Sequence, residues 1–285
     1  KQIQIIYNKF AKKPVKKRLK NLNAILTLAT TEIIWLNTPD HAVLNNYVEL
    51  AKVYQESHIS NFVNAILRKI VSNKEKIKMS LPNVKVNLPE WMYNDWLKYY
   101  QPMTISSILA NSMLQPSLDI ICLDKITKKQ KDNLISFSNG LEIYPNVIRS
   151  NFKGQIKLLP YYNEGLWFIQ DLGAYIQFET LYKKINFNFK SDNLNHFNIL
   201  DVCCAPGGKT IQILNKNLNL ISIDKNIKRL KTMKQNLKRT NLNGKIICAD
   251  ALNVKFSTTF DVIIIDAPCS ATGTIRKNPD IFLRE

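Results

Sequence analysis

The stretch Asp201-Val-Cys-Cys-Ala-Pro-Gly-Gly-Lys-Thr210 follows the apolar run Phe197-Asn-Ile-Leu200 and gathers two glycines, a lysine and a hydroxyl at one turn. Adjacent glycines let a backbone approach a ligand with no Cβ in the way. Gly208-Lys209-Thr210 matches the end of a phosphate-binding loop, G-x-x-x-x-G-K-[ST], whose N–H groups wrap a polyphosphate. Counting back, the first glycine of that motif falls on Cys203, so only half of it is present. There is no G-x-G-x-x-G for a dinucleotide either. A nucleotide hydrolase is the weaker reading. The stronger one is a nucleoside pocket: Asp224 ends the next apolar run at a spacing suited to ribose hydroxyls. Asp250 follows the third run, where it can meet an adenine amino group, and Asp266 follows the fourth. Each acid alone could cap a turn. Together on one rim they favour a bound nucleoside.

The five cysteines (Cys122, Cys203, Cys204, Cys248 and Cys269) have no CxxC pairing, and the histidines His41, His58 and His196 are scattered. Free thiols and no metal site are expected. Cys203 and Cys204 read as packing residues of the loop, and Trp167 and Phe168 as core.

These groups need a scaffold. From about residue 164, strand-like runs at 198–202, 219–223, 245–248 and 260–265 alternate with helical patterns, notably Ile227 to Asn241 and Gly173 to Tyr182. That alternation predicts a parallel, doubly wound sheet, a Rossmann-like α/β core, with Trp167-Phe-Ile-Gln170 leading into it. Residues 1–80 read as an all-α domain of four or five helices. One stripe is Leu22, Ile25, Leu26, Leu28 and Ile33. A second runs from Val43 to Ala51, and a third is Phe62, Val63, Ala65, Ile66 and Ile70. Breaks fall at Asn37-Thr-Pro39-Asp40 and Ser57 to Ser60, with Ser60 as an N-cap. Residues 81–163 hold a proline-punctuated linker (Ser80-Leu-Pro82 to Leu88-Pro89), a helix over 90–100 and a small α+β subdomain. That subdomain has a helix from Ile105 to Met113 and strands over 118–123 and 141–148. Residues 164–285 are the α/β core.

The chain of 285 residues carries 40 Lys and Arg against 22 Asp and Glu, a net charge of +18. Lys12, Lys13, Lys16, Lys17, Arg18 and Lys20 crowd a stretch that meets no acid before Glu32. A solvated helix face accounts for some of this, but so large an excess favours nucleic acid as partner. No apolar run is long enough to span a bilayer, and the basic N-terminal stretch lacks the apolar segment and small-residue cleavage site of a signal peptide. The expectation is a soluble cytoplasmic protein, a monomer with no membrane partner. The opening Lys1 and the stop at Glu285 in mid-pattern suggest that both natural ends are missing.

DVCCAPGGKT together with DAPCSATGTIRKNPDI, Asp266 to Ile281, resembles the Sun-type RNA cytosine-C5 methyltransferases. The likeness runs over nearly the whole chain. NFVNAILRKI, Asn61 to Ile70, is similar to the NusB-type RNA-binding domain joined to these enzymes, and LWFIQDLGAYIQ, Leu166 to Gln177, to the segment that opens their catalytic domain. The resemblance implies S-adenosylmethionine as methyl donor and ribosomal RNA, with the small subunit favoured, as substrate. Residue by residue, Cys203, Cys204, Ala205, Pro206, Gly207, Gly208 and Lys209 form the donor loop. Asp224 holds the ribose, and Asp250 lies at the adenine. Asp266 and Lys209 face the junction with the target base. Lys12, Lys13, Lys16, Lys17, Arg18, Lys20 and Arg276 are carried over as RNA contacts.

The chemistry implied is nucleophilic. C5 of cytosine attacks a methyl group poorly, and a thiolate added at C6 turns it into an enamine carbon that attacks well. Loss of the C5 proton then releases the thiol. Asp266 is placed to touch N3 of the base, and Lys209 to balance charge on it. Cys269, in the Pro-Cys pair, resembles the cysteine that helps to release product. The attacking cysteine of the family sits in a Thr-Cys pair after a further strand. No such pair occurs here, so that nucleophile is expected beyond Glu285, with the core truncated before its last strands. The alternative is an RNA-binding protein with a degenerate or truncated methyltransferase fold and no activity.

Overall fold

A computed structural model of the chain describes residues 1–36, 38–54, 57–81, 83–112, 114–189 and 197–283. Of the residues singled out above, Asn37, Pro82, Met113, His196 and Glu285 lie outside the described residues, as does the side chain of His58. The chain forms two compact units, Lys1–Leu114 with Gly273–Glu285, and Gln115–Thr272.

The first unit is helical: α1 (Gln2–Asn8), α2 (Lys20–Trp35), α3 (Asp40–Tyr54), α4 (Ser57–Ser72), α5 (Lys74–Met79), α6 (Glu90–Trp96) and α7 (Pro102–Ser112). Helices of at most 16 residues are marginal alone and need a shared apolar face. Leu22, Ile25, Leu26, Ala29 and Ile33 of α2 supply it, at steps of three or four residues, against Val43 and Ala51 of α3 and Val63, Ile66, Leu67 and Ile70 of α4. Leu28, expected in the stripe, is 53% exposed, because its position turns away from the face that Ala29 completes. Ala65 likewise faces out and Leu67 takes its place in the core. Ser60 lies inside α4 rather than at its cap, since the helix already begins at Ser57.

The second unit holds two sheets. β1 (Leu118–Cys122), α8 (Lys128–Phe137), β2 (Gly140–Tyr144), β3 (Val147–Ser150) and β4 (Trp167–Ile169) build an antiparallel sheet of order β2-β3-β1-β4. The single strand expected over 141–148 is two strands, turned at Pro145-Asn146 with Asn146 at φ 64°. Trp167–Ile169 pairs with β1 in this sheet and not with the parallel one. Alternation along β1 divides its side chains: Ile120 and Cys122 pack with Leu134 of α8, while Ile121 joins Phe168, Tyr175 and Phe178 in the larger core.

α9 (Leu172–Phe189) leads to β5 (Asn198–Val202), α10 (Gly208–Leu214), β6 (Asn219–Asp224), α11 (Ile227–Thr240), β7 (Lys245–Cys248) and β8 (Val262–Ile265). These strands are all parallel, in the order β7-β6-β5-β8. Ile199 and Leu220 point into the cluster with Ile211, Leu230, Met233 and Leu237. Leu200, Val202 and Ile223 point to the opposite face. Strand order steps outward from β5 to β7 and then returns to the other side of β5. At such a reversal the two loops leave in opposite directions and open a crevice at the carboxyl ends of the strands.

Candidate active site

The crevice between β5 and β8 is where the sequence places its glycine loop and its last acid. Residues 203–207 join β5 to α10, with a cis peptide between Ala205 and Pro206. Gly207 has φ 104°, and a Cβ there would meet Met233 Cγ at 2.8 Å, so conformation and space both call for glycine. The loop is pinned from two elements. Cys204 N–H donates to the Ile223 carbonyl at 3.2 Å, and Gly207 N–H to the Cys204 carbonyl at 2.8 Å. Asn236 of α11 donates to the Pro206 carbonyl at 3.2 Å, and the Arg229 guanidinium donates to the Ala205 carbonyl.

Asp224, the last residue of β6, is buried, yet its oxygens are engaged on the loop side. Oδ2 accepts Ala205 N–H at 3.2 Å and Oδ1 accepts Asn226 N–H at 2.8 Å. Arg229 stands 3.7 Å from Oδ2. Each carboxylate oxygen can accept a second donor, so this anchor of the loop keeps the capacity to take hydroxyls. Asp250 lies two residues past β7, half-buried, and its Oδ1 accepts Leu252 N–H at 3.1 Å, which shapes the turn there.

Lys209 and Asp266 meet across the reversal: Nζ lies 2.6 Å from Oδ2, with the lysine side chain 12% and the aspartate 62% exposed. Asp266 N–H donates to the Val202 carbonyl at 3.2 Å, which ties the segment after β8 to β5. The pair thus has one partly buried cation and one anion open to solvent. Cys269 is exposed, and its Sγ accepts Ala271 N–H at 3.3 Å. Burial pushes the thiols of Cys122 and Cys204 up to about 12, so neither is a thiolate near neutral pH. Cys204 packs at 3.5 Å from the Met233 sulfur, as a packing residue should.

Asp201 does not join the rim. It is fully buried on the helix side of β5, where the Thr210 hydroxyl donates to its Oδ2 at 2.6 Å. Burial raises its pKa to about 6, against the opposing pull of Thr210 and Lys209. Lys12, Lys13, Lys16, Lys17, Arg18 and Lys20 are all exposed, and no ion pair forms at them among the described residues. Arg276 is exposed and belongs to the first unit, whereas Asp266 and Cys269 belong to the second. Among the described residues no group of three His, Cys, Asp or Glu is placed to hold a metal, and no helix is long and apolar enough to cross a membrane. Sequence reasoning missed Arg229, which touches both the loop and Asp224. In sequence it is one of six basic residues on α11, and nothing there sets it apart.

A parallel sheet that reverses beside a glycine loop, with acids at its strand ends, defines a Rossmann-like methyltransferase core. Here it follows a helical domain. Family models match both parts: the NusB family over residues 1–72, and the 16S rRNA methyltransferase RsmB/F family over residues 190–285. The chain is thus similar to the RsmB/F methyltransferases over its C-terminal third and to the NusB family over its N-terminal quarter.

It is 27% identical over 298 residues to the probable ribosomal RNA small subunit methyltransferase B of Coxiella burnetii, covering 99% of this chain and 67% of that protein. To the ribosomal RNA small subunit methyltransferase B of Photorhabdus laumondii it is 29% identical, covering 98% of this chain and 66% of that protein. The chain therefore spans about two thirds of the length of these relatives. The crystal structure of the protein PH0851 superposes with a TM-score of 0.74 at 17% identity, covering 99% of this chain and 66% of that one, which shows the shared fold.

Proposed function

We propose that this chain is the RNA- and donor-binding part of an S-adenosylmethionine-dependent methyltransferase that modifies C5 of a cytosine in small-subunit ribosomal RNA. The observation that carries the reading is the Lys209–Asp266 pair, set across the strand reversal beside a loop that Asp224 anchors. A sulfonium nucleoside suits this site. Its ribose hydroxyls find the spare acceptor capacity of Asp224, and its positive sulfur suits a rim that bears Asp224, Asp250 and Asp266. A polyphosphate suits it badly. The same acids repel it, and Lys209, which would have to grip it, is held at 2.6 Å by Asp266.

Bound there, the donor supplies an electrophilic methyl group. The chain's own residues do the rest of the positioning. Gly207 lets the loop turn at a positive φ against Met233, Gly208 leaves the start of α10 without a side chain, and Asp250 is assigned to the adenine edge. Asp266, the exposed member of its pair, turns its carboxylate to the base edge at N3, and Lys209 keeps that carboxylate in place while balancing charge on the pyrimidine. Cys269 is assigned to product release. The attack on C6 is assigned to a thiolate other than the five cysteines of this sequence, two of which burial has silenced. The exposed cluster Lys12 to Lys20, with Arg276, is assigned to RNA phosphates, and the target cytosine must be unpaired or flipped to reach the crevice.

The test is to incubate the full-length protein with radiolabelled S-adenosylmethionine and small-subunit ribosomal RNA and to digest the product to nucleosides. Label in 5-methylcytosine is expected. Label only on an exocyclic nitrogen would reject the reading. RNA binding with no donor-dependent product would leave a binding protein on a methyltransferase fold.

A further inference from the structure

Gln170 occupies the short link between β4 and α9, 9% exposed. Its backbone is fixed on both sides. Gln170 N–H donates to the Asp119 carbonyl at 3.3 Å, and two residues on, Leu172 N–H donates to the Asp119 carboxylate at 3.0 Å. Asp119 is itself forked by Arg149 at 2.7 and 2.9 Å. The side chain is not committed in the same way. Its Oε1 is buried and has no hydrogen-bond partner among the described residues. A Cβ built on Gly208 would lie 3.4 Å from both Cδ and Nε2, so the carboxamide rests against the start of α10, at the end of the donor loop.

An unmade hydrogen bond at a buried amide oxygen is costly, and folded proteins keep few of them. Gln212, buried on α10, also leaves its Oε1 without a partner among the described residues, but its Nε2 is committed, donating to the Tyr175 carbonyl at 2.9 Å and to Glu179 at 3.2 Å. Gln170 makes no comparable bond. It is held rigidly, beside backbone that glycine leaves open, with its polar end unused.

We propose that Gln170 binds the amino-acid end of the methyl donor, its carboxamide oxygen accepting from the α-ammonium and its Nε2 donating to the α-carboxylate. The inference rests on the donor reading above. Asp224 grips the loop at Ala205, and its strand end serves the nucleoside. Gln170 meets the loop at Gly208, at its far end. A zwitterion needs an acceptor and a donor side by side, and a carboxamide provides both on one rigid plane.

The test compares S-adenosylhomocysteine with 5′-methylthioadenosine, which lacks the amino-acid end, by titration calorimetry on the wild-type chain, Gln170→Ala and Gln170→Met. Both variants should bind S-adenosylhomocysteine at least about tenfold more weakly, a modest loss for bonds to charged groups. Their affinity for 5′-methylthioadenosine should not change. The thermal midpoint of Gln170→Met should equal or exceed that of the wild type, because an unpaired buried amide has been removed. Equal losses for both compounds, or an unchanged affinity for S-adenosylhomocysteine, would overturn the assignment. A wild-type chain that binds neither compound would overturn the donor reading, and this inference with it.

Discussion

Asp201→Asn probes the buried end of β5. The wild-type carboxyl is fully buried, accepts the Thr210 hydroxyl at Oδ2 and has no partner at Oδ1 among the described residues. Burial lifts its pKa from the ordinary 3.8 to about 6. The folded chain then holds this proton more tightly than the unfolded one. The stability it contributes is complete below the unfolded value and is lost as pH rises through the folded one. From about pH 4.5 to pH 7 the loss comes to roughly 2 kcal/mol for shifts of this size. Asparagine cannot titrate but keeps the shape and an acceptor for Thr210. In urea unfolding, the stability of Asp201→Asn minus that of the wild type should therefore grow by roughly 2 kcal/mol between those pH values, other titrations cancelling in the difference. A difference that stays flat, or shrinks toward neutral pH, would refute the argument.

Gly207→Ala should lower stability by about 1–3 kcal/mol in the same assay, because alanine is strained at that positive φ and its Cβ runs into Met233. Asp224→Asn should weaken binding of S-adenosylhomocysteine at least about tenfold by calorimetry, since one oxygen that anchors the loop is lost. Replacing Lys12, Lys13, Lys16 and Lys17 together by glutamine should weaken RNA binding and flatten its log–log salt dependence by about 0.7–0.9 for each phosphate contact removed, measured by filter binding across a salt series.

The parallel sheet was legible because its strands are short, mostly apolar runs, with β5 and β6 largely buried and acids at or just past the ends of β6, β7 and β8. Asp224 and Asp266 stand where that pattern put them. The helix α8 was not legible from its charged sequence, whose apolar stripe is thin, although Thr127 and Gln130 form a capping box that marks its start. Two strands were merged over 141–148 because Asn146 makes the turn in a left-handed conformation without the glycine that usually advertises one. Trp167–Ile169 read as part of the α/β core, yet register with β1 decided its place, and register between distant segments leaves no local trace. At the site, residue types were visible but pairings were not. Nothing in the spacing of Lys209 and Asp266 reveals a contact across 57 residues, nor that Arg229 reaches back to Ala205.

The central claim is that the crevice between β5 and β8 holds a sulfonium nucleoside and not a nucleoside triphosphate. Competitive equilibrium dialysis on this chain, with radiolabelled S-adenosylmethionine challenged by S-adenosylhomocysteine and by ATP, tests it directly. The account predicts saturable binding at one site per chain, displaced by S-adenosylhomocysteine and untouched by ATP. Displacement by ATP, or no saturable binding of the labelled donor, would contradict it.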